Sequence, residues 1–496
     1  MKPTVGLAIA WAILACSVEA HSAEDGRPNV LFIAIDDLNS CLSAMDGETT
    51  VATPHLDALA ERGVLFTNAY CAAPACNPSR TGVMTGLAPS TSGVYVNAQD
   101  WRENELLKNW VTVPHHFQNH GYKTLGGGKL YHAASLSKQG YTGFLDPRPW
   151  DEYFPSKQRQ MPQEVLPEKV PTNTHKDFYG GRFDWAELEI EPNEMADAKV
   201  VAWAERQLGR KHDKPLFLAV GIYRPHIPWY TPKCYFDEHP IDRVILPEVV
   251  ENDLDDIPHA GTTKLKRRWH QWLVEHNKWE AAVRGYSASV SFADDMIGRL
   301  VMALENGPLA DDTIVVVWAD HGYHLGQKEH WEKFALWEQT TRVPLIVAAP
   351  GVGRAGKTCR EPVSLLDIYP TLNELCNLAS VEDLDGKSLV PLLRAPTAVT
   401  GRAVITTHGF KNHAVRSDRW RYIRYADGSE ELYDQVNDPK NFRNLAGTSR
   451  YTSVKGELAA QLPKDDAPRD PTVNAQKRWA DKSTRETDSP RRDERP

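Results

Sequence analysis

The segment Asn29-Val30-Leu31-Phe32-Ile33-Ala34-Ile35-Asp36-Asp37 decides the fold class of this chain. Its apolar part is nearly continuous, which is typical of a parallel strand that is buried on both faces of a sheet. A second run of this kind, residues 313–318, ends in a similar way at Asp320-His321. The sequence therefore predicts an α/β fold, with a large, mixed and mostly parallel sheet flanked by helices.

Two helices are predicted between these strands. The first has Thr53 as its N-cap and Pro54 at its first position, and it stops at Gly63. The second carries apolar side chains along one face and ends at Gly307-Pro308. The residues that line this face are Tyr286, Val290, Ala293, Ile297, Leu300 and Leu304. Helices that alternate with buried strands are what the predicted fold requires.

Acidic residues follow both buried strands. Asp36 and Asp37 come directly after the first strand, and Asp320 follows the second. The carboxyl ends of parallel strands form the edge at which open α/β sheets bind ligands. Carboxylates gathered there need a compensating cation, and a hard metal ion with oxygen ligands would supply it. The alternative is that each is an ordinary loop-capping or solvated acid.

Composition and the N-terminus bear on partners and location. The chain has 496 residues and a formal net charge of -9, so we expect no nucleic-acid partner. Residues 5–15 are apolar, follow Lys2 and lead into Val18-Glu19-Ala20, which predicts a secretory signal peptide over residues 1–20. We therefore expect a secreted or periplasmic protein without a transmembrane segment. A lipid anchor at Cys16 and an N-terminal core helix are the alternatives.

Composition also divides the rest of the chain. Residues 24–395 are predicted to form the main α/β domain. Beyond them, β-like runs at residues 403–407 and 421–425 predict a small antiparallel C-terminal subdomain over residues 396–463. Residues 464–496 are rich in charge and proline, so we expect a disordered tail.

The cysteines that follow the predicted signal peptide are irregularly spaced and include no C-x-x-C pair, so a zinc knuckle is not predicted. They are Cys41, Cys71, Cys76, Cys234, Cys359 and Cys376. If Cys76 has another task, an odd number remains, and these cannot all pair with one another. We expect at least one buried free thiol.

The segment Cys76-Asn77-Pro78-Ser79-Arg80 carries the chemistry. Pro78 suits the first position of a helix, which places Cys76 at a helix N-terminus, where free N–H groups and the dipole favour an anion. Arg80 can donate two hydrogen bonds onto a tetrahedral oxyanion or onto a carboxylate. With Thr85-Gly86 at the following fixed distance, this segment closely resembles the C-x-P-S-R signature of the sulfatase family.

The resemblance implies a fold, a modification and a metal. Sulfatases have an alkaline-phosphatase-like fold, and a maturation enzyme oxidises the cysteine of their motif to formylglycine. The hydrated aldehyde is their nucleophile, so the resemblance implies that role for Cys76. It also implies one calcium ion per chain, held by the modified Cys76 together with Asp36, Asp37, Asp320 and His321.

Further segments are similar to one branch of the family, the iduronate-2-sulfatases. His321 stands where most sulfatases have Asn, and that branch shares the difference. Gly128-Lys129-Leu130-Tyr131-His132 has the spacing of the branch, and Arg224-Pro225-His226-Ile227-Pro228 matches it as well. His330-Trp331-Glu332-Lys333 continues the match, so the resemblance covers nearly the whole predicted folded chain.

Hydrolysis of a sulfate ester requires these residue types. The peripheral oxygens of the ester need cations, and the leaving alkoxide needs a proton. Lys129, Lys333 and Arg80 would supply the charge together with calcium. By the resemblance, His226 is the candidate general acid, and His132 would take a proton from the second hydroxyl of the hydrated aldehyde.

The branch resemblance and the predicted export favour a sulfated saccharide as substrate, with 2-O-sulfated uronate units as the leading case. We expect the sugar to be held by loops within residues 131–184 and 241–268, which contain aromatic and basic side chains. Two other functions stay open at this point: a phosphatase or phosphodiesterase of the same superfold, and a non-catalytic protein that binds sulfated glycans. The oligomeric state is also left open.

Overall fold

The computed structural model describes residues 26–45, 51–135, 141–169, 171 and 173–469. The strands, in chain order, are β1 (Asn29–Ile35), β2 (Val64–Tyr70), β3 (Lys123–Gly128), β4 (Ala133–Ser135), β5 (Tyr141–Gly143), β6 (Glu152–Phe154), β7 (Trp185–Leu188), β8 (Leu216–Ile222), β9 (Trp229–Pro232), β10 (Thr313–Ala319), β11 (His324–Leu325), β12 (Trp331–Glu332), β13 (Arg342–Ala348), β14 (Lys357–Cys359), β15 (Val363–Ser364), β16 (Val404–Thr407), β17 (His413–Arg416), β18 (Trp420–Arg424) and β19 (Glu430–Asp434). The centre of the structure is a nine-stranded sheet in the order β14-β2-β13-β10-β1-β8-β3-β6, with β15 paired to β2.

Helices connect several of the strands of the central sheet, as an α/β fold requires. The α-helices are α1 (Pro54–Arg62), α2 (Cys76–Thr85), α3 (Pro89–Ser92), α4 (Val113–Asn119), α5 (Ala196–Leu208), α6 (Lys233–Asp237), α7 (His259–Thr262), α8 (Arg267–Glu275), α9 (Trp279–Glu305), α10 (Glu338–Thr341), α11 (Ile368–Leu375), α12 (Val390–Arg394) and α13 (Thr452–Ala459). Short 3-10 turns join several of them.

The strand β1 lies inside the sheet between β10 and β8, and it is parallel to both. The pairing of Ile35 with Ala319 brings the carboxyl ends of β1 and β10 to the same edge, so the acids that follow both strands meet there. Strand β13 is antiparallel to its neighbours β10 and β2, which makes the sheet mixed. The predicted fold class is confirmed.

The N-terminus of α1 is capped differently from the prediction. The side chain of Thr53 makes no capping hydrogen bond. The carboxylate of Asp294, on α9, instead accepts the backbone N–H groups of His55 at 3.1 Å and Leu56 at 2.8 Å. Because the cap comes from a distant helix, it ties α1 to α9 as well as satisfying free donors.

The C-terminal part forms a separate four-stranded antiparallel sheet in the order β16-β17-β18-β19. The predicted runs 403–407 and 421–425 become β16 and β18 with bounds shifted by one residue. An apolar cluster of its own, which includes Val415, Tyr422 and Leu458, packs α13 against this sheet. The antiparallel subdomain of the predicted fold is therefore present.

Several predictions for the ends of the chain fall outside the described residues, namely the signal peptide over residues 1–20, the lipid anchor at Cys16 and the tail from residue 470 onwards. The predicted tail begins at residue 464, so its residues 464–469 are described. There the backbone N–H of Ala467 donates to the Ser90 carbonyl at 2.6 Å. Within the described ranges, no helix is long and apolar enough to cross a bilayer.

The cysteines of the described chain carry free thiols, and all of them except Cys234 are buried. This confirms the expectation of a buried free thiol. The buried cysteines act as small apolar side chains in the core, and burial raises the pKa of Cys41 to about 12.

Candidate active site

The helix α2 presents Cys76 to the sheet edge at which β1 and β10 end. The helix begins at Cys76 itself, with Ala75 as N-cap, so Pro78 stands at the third helical position and not at the first as predicted. The proline costs no hydrogen bond there, because the first turn of a helix has no carbonyl partner for its N–H groups. The first backbone bond runs from Ser79 N–H to the Ala75 carbonyl at 3.0 Å.

Cys76 is fully buried among charged groups. Its Sγ lies 3.2 Å from Nε2 of His321. Burial alone would raise the pKa of the thiol, but Lys333, His321 and Lys129 outweigh burial and the opposing charge of Asp36, so the pKa lies below 9.0. A low thiol pKa marks a reactive position rather than an inert core cysteine.

Two overlapping sets of side chains could hold a metal ion. Asp36, Cys76, Asp320 and His321 each offer one ligand atom, and these atoms lie within 4.8 Å of one another. The atoms of Asp37, Cys76 and His226 meet the same condition. The residues that sequence reasoning assigned to the metal therefore lie together at one edge of the sheet.

Arg80 holds this acidic group in place from a fully buried position. Its Nε donates to Oδ2 of Asp320 at 2.8 Å, and its Nη2 lies 3.4 Å from Oδ1 of Asp36. Its Nη1 donates to the carbonyls of Lys129 and Leu130. Of the two partners predicted for the guanidinium, the carboxylates are the ones it contacts. Its planar set of donors fits two carboxylates at once.

Two lysines pair with the acids at the end of β1. Lys129 Nζ donates to Oδ2 of Asp36, and Lys333 Nζ lies 2.8 Å from Oδ1 of Asp37. Burial raises the pKa of Asp37 to about 7, and although Lys333 opposes this, the neighbouring Asp36 adds to it. The pKa of Asp36 lies well below 3.8, because Lys129 and the other cations outweigh its burial. The two neighbouring acids thus differ in proton affinity.

The two histidines predicted to move protons also lie at this edge. Nδ1 of His226 lies 2.7 Å from the Ile227 carbonyl, and its Nε2 lies 3.8 Å from Oδ2 of Asp37. Burial, Lys333 and Lys129 hold the pKa of His226 well below 6.5. Burial, followed by the charge of Lys129, lowers the pKa of His132 to about 3. Both rings therefore lie within the field of the two lysines.

The imidazole of His321 behaves in the opposite way. Its Nδ1 lies 3.3 Å from Oδ1 of Asp37 and its Nε2 3.5 Å from Oδ2 of Asp320. Burial would lower its pKa, but Asp320, Cys76 and Asp37 raise it to about 9. The ring is thus surrounded by anionic groups. Such a cluster of anions is expected around the ligands of a cation site.

The backbone around the site is held in unusual conformations. Asp37 has φ of 63°, and Lys333 lies between Glu332 with φ of 79° and Phe334 with φ of 75°. Left-handed non-glycine residues cost about 1–3 kcal/mol each and persist only where their surroundings fix them. These conformations occur on both sides of the Asp37–Lys333 ion pair.

Sequence reasoning missed the groups that fix the segment before Cys76. The Thr406 hydroxyl donates to the Cys71 carbonyl at 2.7 Å, and the Thr407 N–H donates to the Ala72 carbonyl at 2.9 Å. The Phe334 N–H donates to the Pro74 carbonyl at 3.0 Å. The C-terminal subdomain thus holds the loop that leads to Cys76. No local pattern in the sequence signals these long-range bonds.

The chain matches the family model described as Sulfatase over residues 28–378. It also matches a second model, described as N-sulphoglucosamine sulphohydrolase, C-terminal, over residues 326–467. The first match covers the nine-stranded sheet and the site residues predicted from the sequence, and the second covers the C-terminal subdomain.

Curated relatives share most of their length with this chain. A sulfatase from Formosa agariphila is 37% identical, with 96% of this chain and 94% of the relative covered. A choline-sulfatase from Rhizobium meliloti is 29% identical, with 88% and 85% covered. Human iduronate 2-sulfatase is 27% identical, with 90% and 84% covered.

A solved structure supports the fold independently. The phosphonate monoester hydrolase of Agrobacterium radiobacter has a TM-score of 0.67 and 24% identity, with 88% of this chain and 95% of that chain covered. At this identity the likeness concerns the fold alone, which is the alkaline-phosphatase-like fold that the sulfatase resemblance implies. The sequence matches and the site together lead to one conclusion: this chain belongs to the sulfatase family and is a sulfuric ester hydrolase.

Proposed function

We propose that this sulfatase removes O-sulfate groups from a sulfated saccharide, with a formylglycine made from Cys76 as nucleophile. The observation that carries the proposal is the position of Cys76. The side chain begins α2 and faces Asp36, Asp320 and His321, within the field of Lys333. This is the arrangement that attack on a multiply charged ester needs, with cations gathered around one nucleophilic position.

The metal in this proposal is a single calcium ion. The acids Asp36, Asp37 and Asp320 offer the hard oxygen ligands that calcium prefers, and His321 and the modified Cys76 would complete the set. Oδ1 of Asp36 is buried and accepts no hydrogen bond from the described residues, and its ion pair with Nη2 of Arg80 is long at 3.4 Å, which leaves the atom available to a metal ion. When bound, the ion would supply positive charge next to the sulfate oxygens.

The cationic side chains of the site would have two different roles. Lys129 and Lys333 face the acids at the end of β1 and would neutralise the peripheral oxygens of the sulfate. Arg80 would act by holding Asp320 and Asp36 in position. The charge that these groups supply is fixed before the substrate arrives, so little reorganisation is needed during the reaction.

His226 would donate the proton to the leaving oxygen. Nδ1 lies against the Ile227 carbonyl, which fits a protonated Nδ1 and leaves Nε2 directed toward Asp37 and the site. Because burial and the lysines keep the free ring neutral, Nε2 would take up a proton from water once the anionic sulfate is bound, and it would pass that proton to the ester oxygen as the bond to sulfur breaks. His132 would take up the proton of the nucleophile's second hydroxyl as the C–O bond to the sulfate breaks, which leaves the aldehyde, and addition of water would then restore the hydrated nucleophile.

The proposed substrate is a saccharide, with 2-O-sulfated uronate units as the leading case. The iduronate-2-sulfatase-like segments around His132, His226 and His321 support this, as does the human relative of that name. The choline-sulfatase relative makes a small cationic ester the competing substrate. A maturation enzyme would be the partner that modifies Cys76, and a secreted or periplasmic location follows from the proposed signal peptide.

The test is a comparison of sulfate release from defined substrates by the matured enzyme. The panel contains glycosaminoglycan and algal oligosaccharides of known sulfate position, choline sulfate and an aryl sulfate. We expect the highest kcat/KM on an oligosaccharide that carries a 2-O-sulfated uronate. Turnover of choline sulfate or aryl sulfate with no release from any saccharide would overturn the saccharide assignment.

A further inference from the structure

Tyr179 is an aromatic residue that the mechanism does not use. It lies in the loop 175–182, and 48% of its surface is exposed. The side chains of the site are almost fully covered, since Lys333 is only 4% exposed and Cys76 not at all. Tyr179 is therefore half-exposed, in contrast to the buried groups of the reaction centre.

Ring contacts and electrostatic interactions connect this loop to the site. The residue before Tyr179 stacks on Trp269, whose ring lies 4.9 Å from Lys266 Nζ. The same Nζ lies 3.6 Å from Oε2 of Glu332, the neighbour of Lys333. In agreement with this position, the covered part of the Tyr179 side chain raises the pKa of its phenol, Lys333 lowers it and Glu332 raises it. The loop therefore lies beside the segment that carries Lys333.

The loop is anchored firmly on one side of Tyr179. Phe178 is buried and stacks on Trp269 of α8 with ring centroids 5.4 Å apart. It also meets the edge of Trp272 at 5.8 Å. Because the neighbouring residue is fixed by two tryptophans, the backbone that carries Tyr179 has a rigid support and is not a free loop tip.

The backbone of Tyr179 is in a conformation that its residue type disfavours. Tyr179 has φ of 49° and ψ of 40°, and Gly180 and Gly181 follow with φ of 62° and 77°. A glycine would adopt this left-handed conformation without strain, whereas a bulky side chain is strained in it. A strained aromatic residue beside a reaction centre points to a use for its ring.

The chemistry around the ring suits a sugar acid. Arg182 is exposed, and its guanidinium lies 5.9 Å from the centroid of the Tyr179 ring. An aromatic face can stack on the C–H face of a sugar, and a guanidinium can bind a carboxylate through two hydrogen bonds. We propose that Tyr179 binds the ring of the sugar that carries the reacting sulfate and so determines the preference for saccharide esters. This inference rests on the proposed function.

The experiment separates ring contact from loop structure. Tyr179→Gly and Tyr179→Asn remove the ring but suit the left-handed backbone, while Tyr179→Phe keeps the ring and loses only the hydroxyl. Lys176→Ala, in the same loop, is the control, since Lys176 is exposed. We measure kcat and KM on the best saccharide, together with thermal unfolding.

We expect kcat/KM on the saccharide to fall about tenfold in Tyr179→Gly and Tyr179→Asn, mainly through KM. Tyr179→Phe and Lys176→Ala should retain most of the activity, and the unfolding temperature should not fall in Tyr179→Gly. Binding of the same saccharide to Cys76→Ala protein, with and without Tyr179→Gly, measures the loss without turnover.

Two negative results have different meanings. Unchanged kcat/KM and unchanged saccharide binding in Tyr179→Gly and Tyr179→Asn would overturn the role of Tyr179 and leave the proposed function standing. No sulfate release from any saccharide by the unmutated enzyme would overturn the proposed function and this inference with it. If Tyr179→Phe loses as much as Tyr179→Gly, the hydroxyl and not the ring carries the effect, which also contradicts the stacking role.

Discussion

Lys333 Nζ lies 2.8 Å from Oδ1 and 3.1 Å from Oδ2 of Asp37, in an ion pair that the protein buries almost completely. Asp37 follows β1, and Lys333 follows β12 much later in the chain, so this contact joins two distant parts of the site. A buried charge without a partner is costly, so the pair explains why both groups are tolerated there. It also places the proposed sulfate-binding cation directly beside a proposed metal ligand.

Replacing Lys333 with methionine should remove a positive charge from the site and keep the length of the side chain. We expect kcat/KM for sulfate release to fall by about 10²–10³, the usual loss for one group that stabilises the transition state. Lys357→Met, at an exposed lysine on β14, serves as the control. An unchanged kcat/KM in Lys333→Met would contradict the assigned role.

Replacing Asp320 with asparagine should release the metal. The change keeps the shape of the side chain but removes the charge that pairs with Arg80 and faces Cys76. We expect elemental analysis to find about one calcium ion per unmutated chain and much less in the variant, with a parallel loss of activity. Asp311→Asn, at an exposed residue just before β10, should retain both the metal and the activity. A metal-free protein with full turnover would refute the site.

The proposed acid His226 predicts a dependence on the leaving group. We expect His226→Asn to lower kcat/KM on a saccharide sulfate by about 10²–10⁴, because an alkoxide must be protonated as it leaves. An aryl sulfate with an acidic phenol needs little protonation, so its turnover should fall much less. Equal losses on the two substrates, measured with folded protein, would show that His226 does not supply this proton.

The ion pairs of Glu338 should stabilise the contact between the two sheets. Glu338, on α10, accepts from Nε of Arg416 at 2.9 Å and from Nη2 of Arg421 at 2.5 Å, and these arginines lie on β17 and β18. Glu338→Gln should lower the free energy of unfolding by about 3–5 kcal/mol, since it leaves buried guanidinium groups uncompensated. Glu374→Gln, at an exposed position, is the control.

The pH dependence of that difference checks its electrostatic origin. Burial opposes ionisation, but Arg421 and Arg416 lower the pKa of Glu338 from 4.5 to about 2. The stabilisation should therefore be complete above the unfolded-state pKa and should shrink as the pH falls toward the folded-state pKa. Denaturant unfolding of both proteins across this range measures it. A difference that stays constant with pH would contradict the ion-pair explanation.

Local patterns were sufficient to predict much of this fold. The apolar run of β1 and the helical face of α9 are encoded by consecutive residues, so their existence follows from the sequence. The shared edge of β1 and β10 then brings Asp36 and Asp320 together, as expected for parallel strands. The resemblance to sulfatases supplied the remaining site residues by their motifs.

What could not be predicted depends on contacts between distant residues. Asp294 caps α1 in place of Thr53, and Thr406 holds the loop before Cys76, although nothing near these residues in the chain indicates either bond. The position of Pro78 also depended on packing, because a proline is tolerated throughout the first helical turn. Tyr179 could be noted only as one aromatic residue of a long loop until its backbone and its neighbours were known.

The most direct test of the account is the mass of one peptide. Trypsin should release residues 63–80, which contain both Cys71 and Cys76, so Cys71 serves as an internal unmodified thiol. In protein that releases sulfate, we expect the mass and fragmentation to show an aldehyde at Cys76 and a free thiol at Cys71, and turnover should rise with the aldehyde fraction. Full activity in protein whose Cys76 is an unmodified thiol would contradict the central claim.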